Sequence, residues 1–217
     1  MAHVGPSMDL STSLLDYWKE RLSRHYYDMY RDRALVKLPE DLRTYQRVIE
    51  WSQPDCIVEL GTYGGGSAVW LYDQLRCLTR HASPLIVTVD HNAPAAFKDE
   101  EGDIVFVQGD LASEQVRKRV AELASGRRTM VIDDSEHTYP VTTASLNGYA
   151  DLVTSGCYFV VEDGVVDVPE LGPWPNTGVQ AAIDDFLATE QGSRFSRNDY
   201  AFYIVTMHFG GWLKAER

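Results

Sequence analysis

Cys56-Ile57-Val58-Glu59-Leu60-Gly61-Thr62-Tyr63-Gly64-Gly65-Gly66-Ser67 is the stretch that decides the fold. Residues 57–60 read as a short buried strand and the glycines as a tight turn. Ala68-Val69-Trp70-Leu71-Tyr72, with Leu75 and Leu78 at helical spacing, reads as a helix. Strand, glycine turn and helix open a nucleotide-binding βαβ unit. Glycine accepts positive φ and lets a ligand approach the backbone, while free N–H groups at the start of a helix hold an anion. The spacing rejects two common ligands. No register across residues 61–66 gives the Gly-x-Gly-x-x-Gly of a dinucleotide site, and no lysine supplies the Gly-Lys-Ser/Thr of a phosphate loop. What remains is Glu59-x-Gly61-x-x-x-Gly65, or a tight turn that carries no ligand.

Composition sets the outer bounds. A chain of 217 residues with 44% hydrophobic and 24% charged residues suits one α/β domain with a substantial core. A net charge of -12 argues against binding a nucleic-acid backbone, which needs clustered Lys and Arg. Cys56, Cys77 and Cys157 form no Cys-x-x-Cys pair, so reduced, mostly buried thiols in a cytoplasmic protein are expected. No apolar run has membrane-spanning length, and residues 1–9 lack the basic start and apolar core of a signal peptide. Neither nucleic acid nor membrane is therefore an expected partner.

Outward from the central stretch, strands and helices alternate. Upstream, Leu14, Tyr17, Trp18, Leu22, Tyr26, Met29 and Tyr30 predict an amphipathic helix over 14–30. Its aromatic stripe suits packing, contact with a second copy of the chain, or cover for a pocket mouth. Leu38-Pro39-Glu40-Asp41 starts another helix, faced by Leu42, Tyr45, Val48 and Ile49 and stopped by Gln53-Pro54-Asp55. Residues 1–45 are expected to form a helical extension or lid, and 46–217 the catalytic domain. Downstream, strands are expected over 85–90, 104–107, 129–134 and 157–163, and helices over 113–123, 141–154 and 178–190. Residues 200–206 and 211–214 read as a terminal antiparallel pair. The pattern implies a mostly parallel, seven-stranded α/β sheet with helices on both faces. Ligands of such sheets sit beyond the carboxyl ends of the strands, and here nearly every strand ends in an acid.

The glycine motif resembles motif I of S-adenosylmethionine methyltransferases, which implies that Glu59, Gly61 and Gly65 hold that cofactor, with Tyr63 and Ser67 lining its methionine end. Asp90 closes the second strand, where a carboxylate either accepts both ribose hydroxyls or caps a turn. Asp110 follows the third strand, facing the adenine edge or starting the next helix. Asp133-Asp134-Ser135-Glu136-His137 and Glu162-Asp163 end neighbouring strands. Crowded carboxylates are driven toward protonation unless a positive charge lies between them. The cofactor's sulfonium and a divalent metal are the two cations considered. Oxygen donors without a cysteine or histidine cluster favour Mg²⁺, assigned to Asp134, Glu162 and Asp163. Asp133 points the other way along its strand, toward the cofactor. The alternative is that these acids only cap helices and turns. His137, three residues past Asp134, titrates near pKa ~6.5 when free and so serves as a base. Methyl transfer is an in-line attack by an oxygen that must lose its proton, so His137 with Asp134 forms the candidate catalytic pair, against the alternative of a structural histidine.

At this point the chain resembles the cephalosporin hydroxylase family of S-adenosylmethionine-dependent O-methyltransferases, which includes rhamnosyl O-methyltransferases, and is similar to macrolide-sugar O-methyltransferases. Pro39-Glu40-Asp41-Leu42, Val58-Glu59-Leu60-Gly61, Gly65-Gly66-Ser67, Asp134-Ser135-Glu136-His137, Val161-Glu162-Asp163-Gly164, Gly172-Pro173 and Gly210-Gly211-Trp212-Leu213 carry the resemblance. It implies a Rossmann-like class I methyltransferase fold, Mg²⁺ on Asp134, Glu162 and Asp163, and a base at His137. Catechol-type enzymes place a lysine where this chain has His137. Tyr30-Arg31-Asp32-Arg33-Ala34 departs from the more aromatic, glycine-containing pattern of the family. The expected function is Mg²⁺-dependent O-methylation of a hydroxyl on a small natural product, a sugar or an antibiotic intermediate, with Trp174 stacking on a ring. A nicotinamide-dependent oxidoreductase and a non-catalytic cofactor-binding subunit are the rivals. Self-association through the aromatic N-terminal helix is the expected oligomeric contact.

Overall fold

The computed structural model describes residues 11–92, 103–171, 177–198 and 206–216. Helix α1 (Leu14–Arg24) leads through a single 3-10 turn to a hairpin of β1 (Met29–Tyr30) and β2 (Arg33–Ala34), then to α2 (Pro39–Ser52). The alternating part follows: β3 (Cys56–Leu60), α3 (Gly66–Leu78), β4 (Leu85–Asp90), β5 (Ile104–Gln108), α4 (Glu114–Ala124), β6 (Thr129–Asp133), α5 (Tyr139–Tyr149) and β7 (Tyr158–Val161). Helix α6 (Val179–Leu187) and strands β8 (Phe195–Arg197) and β9 (Trp212–Ala215) complete the described α-helices and strands.

Seven strands form one sheet in the order β5-β4-β3-β6-β7-β9-β8. The first five are parallel, and β9 runs antiparallel between β7 and β8. Every residue of β3, β6 and β7 is buried, as their unbroken apolar runs require when both faces are covered. From β3 the chain steps outward to β4 and β5, then returns to lay β6 on the other side of β3. That reversal opens a crevice beyond the carboxyl ends of β3 and β6. In register, Leu60 stands level with both Val89 and Asp133, so the strand ends arrive together.

The parallel strands and the final strand match the reading of the sequence; the N-terminal segment differs from it. The helix expected over 14–30 ends at Arg24, because Met29 and Tyr30 enter the hairpin instead. Its two-residue turn, Arg31 and Asp32, has φ of 47° and 62°, the left-handed pair that matches strand twist. The α1 stripe divides: Leu22 joins a small buried cluster with Leu38, Val165, Leu171 and Met207, and Trp18 stacks on Phe209 at 5.3 Å, while Leu14 and Leu15 are exposed. The strand expected over 200–206 lies outside the described residues apart from Thr206, and the described antiparallel partners of β9 are β7 and β8. Trp174 and Gly172-Pro173 also lie outside them. Cys56 and Cys157 are buried, which pushes their thiols up to about 12 and about 11, whereas Cys77 is exposed. Among the described residues no helix is long and apolar enough to cross a membrane.

Candidate active site

The glycine loop leaves β3 at Gly61, whose φ of 104° is the left-handed territory that favours glycine. A Cβ there would lie 1.9 Å from the Asp134 carbonyl oxygen, so the missing side chain lets the ends of β3 and β6 close up. Gly66 serves a different neighbour: its Cβ would lie 2.2 Å from the carbonyl oxygen of Ala34 in β2. Part of the glycine run thus makes room for the hairpin rather than for a ligand. Gly65, at φ 74°, is the turn residue from which α3 starts.

Beneath the loop sits Glu59, fully buried and off the cavity wall. Its Oε2 accepts from the Thr88 hydroxyl at 2.7 Å, and Thr88 Oγ1 is 2.7 Å from Thr62 Oγ1, so the acid braces the loop from below. Burial pushes Glu59 up to about 7, while Lys37 and the hydroxyls of Ser67 and Thr88 pull the other way. Asp90 holds the loop from the side: its Oδ2 accepts the N–H groups of Thr62 at 3.0 Å and Tyr63 at 3.1 Å, and its Oδ1 that of Asn92 at 3.0 Å.

Beyond the strand ends opens a cavity of about 600 Å³, walled by Gly61, Tyr63, Asp90, Asp110, Asp134 and Val141 among others. Asp110 combines the two roles weighed for it. It faces this cavity, and its Oδ1 accepts the Ala112 N–H at 2.8 Å in the turn that Ser113 continues as the N-cap of α4. Asp133 is turned away from the cavity; its Oδ1 accepts the Ser135 hydroxyl at 2.5 Å, and burial pushes it up to about 6.

The other acids meet at one point. Asp134 Oδ1 lies 3.7 Å and Asp163 Oδ2 3.2 Å from Nε2 of His137. His137 and Asp163 both have left-handed backbones, with φ of 52° and 55°, the kind of local strain that gathers at functional sites. Burial pushes Asp163 up to about 7 against the pull of His137. Burial works against the charged form of His137, but Asp163 and Asp134 outweigh it and raise the imidazole above its usual value.

Glu162 is held from behind. Lys37 Nζ donates to its Oε1 and Oε2 at 2.7 and 2.6 Å and to Asp134 Oδ2 at 2.8 Å, and the Tyr45 hydroxyl donates to Glu162 Oε1 at 2.5 Å. A third cation therefore joins the sulfonium and the metal weighed from the sequence: the ammonium of Lys37. His208 completes the back wall. Its Nδ1 accepts the Asp163 N–H at 3.2 Å, which puts the ring proton on Nε2, 3.8 Å from Asp41 Oδ2 and 3.9 Å from Glu162 Oε2. Burial pushes His208 down to about 4, leaving it neutral. Asp41 fastens the same loop by accepting from the Thr206 hydroxyl at 2.5 Å and the Met207 N–H at 2.9 Å.

Lys37, Asp41 and His208 were not among the residues expected at the site, and Tyr45 was read only as helix packing. One signal was present: Lys37 interrupts the apolar run Leu35-Val36-Lys37-Leu38, an unusual place for a charge. Among the described residues, ligand atoms of Asp134, His137 and Asp163 lie within 4.8 Å of one another, as do those of Glu162, Asp163 and His208. Asp134 and Asp163, whose side chains are 25% and 22% exposed, offer the oxygen donors that suit a hard cation. The imidazole beside them can carry a proton.

The family model described as Rhamnosyl O-methyltransferase/CmcI matches residues 23–216. A rhamnosyl O-methyltransferase of Mycobacterium tuberculosis (strain ATCC 25618 / H37Rv) is 28% identical over 185 residues, covering 82% of this chain and 71% of the relative. That of Mycobacterium leprae (strain TN) is 23% identical over 182 residues, covering 80% and 78%. Among solved structures, CmcI in a Mg-SAM form aligns with a TM-score of 0.66 at 19% identity, over 88% of this chain and 78% of that one. MycE from the mycinamycin biosynthetic pathway, in complex with Mg and SAH, aligns with a TM-score of 0.57 at 17% identity, over 94% and 55%. Identities this low speak for the fold.

Proposed function

Because the chain belongs to the Rhamnosyl O-methyltransferase/CmcI family and is an S-adenosylmethionine-dependent O-methyltransferase, we propose that it methylates a hydroxyl of a small natural product, a sugar or an antibiotic intermediate, with Mg²⁺ at the acid cluster. The observation that carries this reading is the meeting of Asp134 and Asp163 around His137 at the edge of the cavity. The relatives named as rhamnosyl O-methyltransferases support a sugar hydroxyl as acceptor, and the MycE complex with mycinamycin VI supports a biosynthetic intermediate.

S-adenosylmethionine supplies the methyl group on a sulfonium, and Mg²⁺ supplies positive charge for a hydroxyl about to lose its proton. Gly61, Tyr63, Asp90 and Asp110 wall the space for the cofactor, while Glu59, Gly65, Ser67 and Asp133 shape that wall from behind. Asp134, Glu162 and Asp163 would hold the metal, Glu162 only once its oxygens are released by Lys37 and Tyr45. His137 receives the acceptor's proton at Nε2, the atom that faces both flanking carboxylates. Those carboxylates favour the imidazolium, and a cation held among them would offset that pull so that the ring could take a proton. Residues 1–45 as lid and 46–217 as catalytic domain belong to the same proposal: hairpin β1–β2 leans on the glycine loop, and α2 runs unbroken across the boundary. Self-association through α1 belongs to it too.

A thermal-shift series with S-adenosylhomocysteine or NAD, each with and without Mg²⁺, tests the cofactor. Stabilisation by S-adenosylhomocysteine, greater with Mg²⁺, is expected; stabilisation by NAD alone overturns the proposal. Mass spectrometry of a panel of glycosylated and free hydroxyl acceptors then tests the substrate class.

A further inference from the structure

Glu162 differs from the other two acids of the cluster in where it faces. The side chains of Asp134 and Asp163 are 25% and 22% exposed, and each turns one oxygen to His137. Glu162 is 2% exposed, and its two oxygens are taken by Lys37 and Tyr45. Lys37, 1% exposed, donates to three carboxylate oxygens at once, which are all the donors an ammonium has.

This placement has a cause in the chain. Lys37 lies between the hairpin, whose Ala34 is seated against Gly66, and Leu38, which is buried just before α2 starts. Its backbone is therefore held on both sides, and its side chain runs inward to Asp134 and Glu162. A buried ammonium is tolerable only when paired, and a divalent ion needs the same lone pairs that pair it.

Resting on the metal reading above, we propose that Lys37 and the divalent ion compete for Glu162. The ammonium is the tethered occupant of the place between Asp134 and Glu162, and it keeps the third carboxylate from the metal until it is displaced or removed. Lys37 is thus a positioning residue that sets metal affinity.

The test is a titration of the full chain, without cofactor, with Mn²⁺ followed by the electron spin resonance of the free ion. Lys37→Met is expected to tighten Mn²⁺ binding by about tenfold or more. Most of that gain is expected to vanish in Lys37→Met/Glu162→Gln, which separates competition for Glu162 from the general effect of removing a positive charge. Unchanged or weaker binding by Lys37→Met, or an equal gain in the double variant, overturns the competition. Asp163→Asn reports on the underlying reading separately: if it leaves Mn²⁺ affinity intact, the metal does not sit at this cluster. Should Lys37→Met fail to fold in EDTA, recovery in Mn²⁺ supports the proposal and failure to recover overturns it. Wild-type crystals soaked in Mn²⁺ give a second readout, since an ion on Glu162 with all Lys37 contacts kept is incompatible with competition.

Discussion

His137 is legible in the sequence because strand ends in a parallel sheet converge, and a histidine three residues past one of them has few other places to be. Replacing it with Ala is expected to leave S-adenosylhomocysteine affinity within about threefold, by calorimetry, and to lower turnover by about 10²–10⁴-fold. Normal turnover would remove it from the mechanism. Gly61 is legible as a turn, but the reason for it is not: the obstacle to a side chain is the Asp134 carbonyl, brought there by another strand. Gly61→Ala is expected to destabilise the chain by more than about 2 kcal/mol in urea denaturation, since it adds backbone strain to a clash. Lys37 escaped because its partners are 97 and 125 residues away, a distance no local pattern spans.

Among the elements, β3, β4, β5, β6 and β7 follow from unbroken apolar runs bounded by turns, and their helices from spacing alone. The hairpin did not show itself. Its turn uses Arg31 and Asp32 instead of the Asn-Gly that normally signals left-handed residues, and Met29 and Tyr30 fit the helical stripe of α1 equally well. Strand β8, three residues ending in Arg197, is too short and too polar to carry a period. The hairpin and the glycine loop are expected to act as one unit, because Gly66 and Ala34 share a contact too close for a methyl group. Gly66→Ala should force the hairpin away and speed hydrogen exchange at the Leu35 N–H, now bonded to Asp28 at 3.0 Å. Unchanged exchange there would show the two elements to be independent.

For the whole molecule, a net charge of -12 combines with acids buried in the interior, and both weigh against stability at high pH. Burial raises Glu59 from 4.5 to about 7 and Asp133 from 3.8 to about 6. A folded-state value above the unfolded one means that the folded chain holds the proton more tightly. The contribution is fully present below the unfolded pKa and is lost as pH rises through the folded one. For Glu59 the loss amounts to about 3 kcal/mol at most, spread from about pH 4.5 to 8. The metal-free chain is therefore expected to show a higher urea midpoint at pH 5.5 than at pH 8, and Glu59→Gln to reduce that difference. Equal slopes in the two proteins would mean that Glu59 is not the group responsible.

The sequence by itself determined the doubly covered parallel sheet, the loop at its centre and the acids at its strand ends, because hydrophobic period and turn chemistry act over a few residues. Only the tertiary structure decided which acid faces the cavity, which is held from behind, and what neutralises it. Those outcomes depend on Lys37, Tyr45 and His208 arriving from distant parts of the chain, and burial, not residue type, sets the electrostatics once they meet.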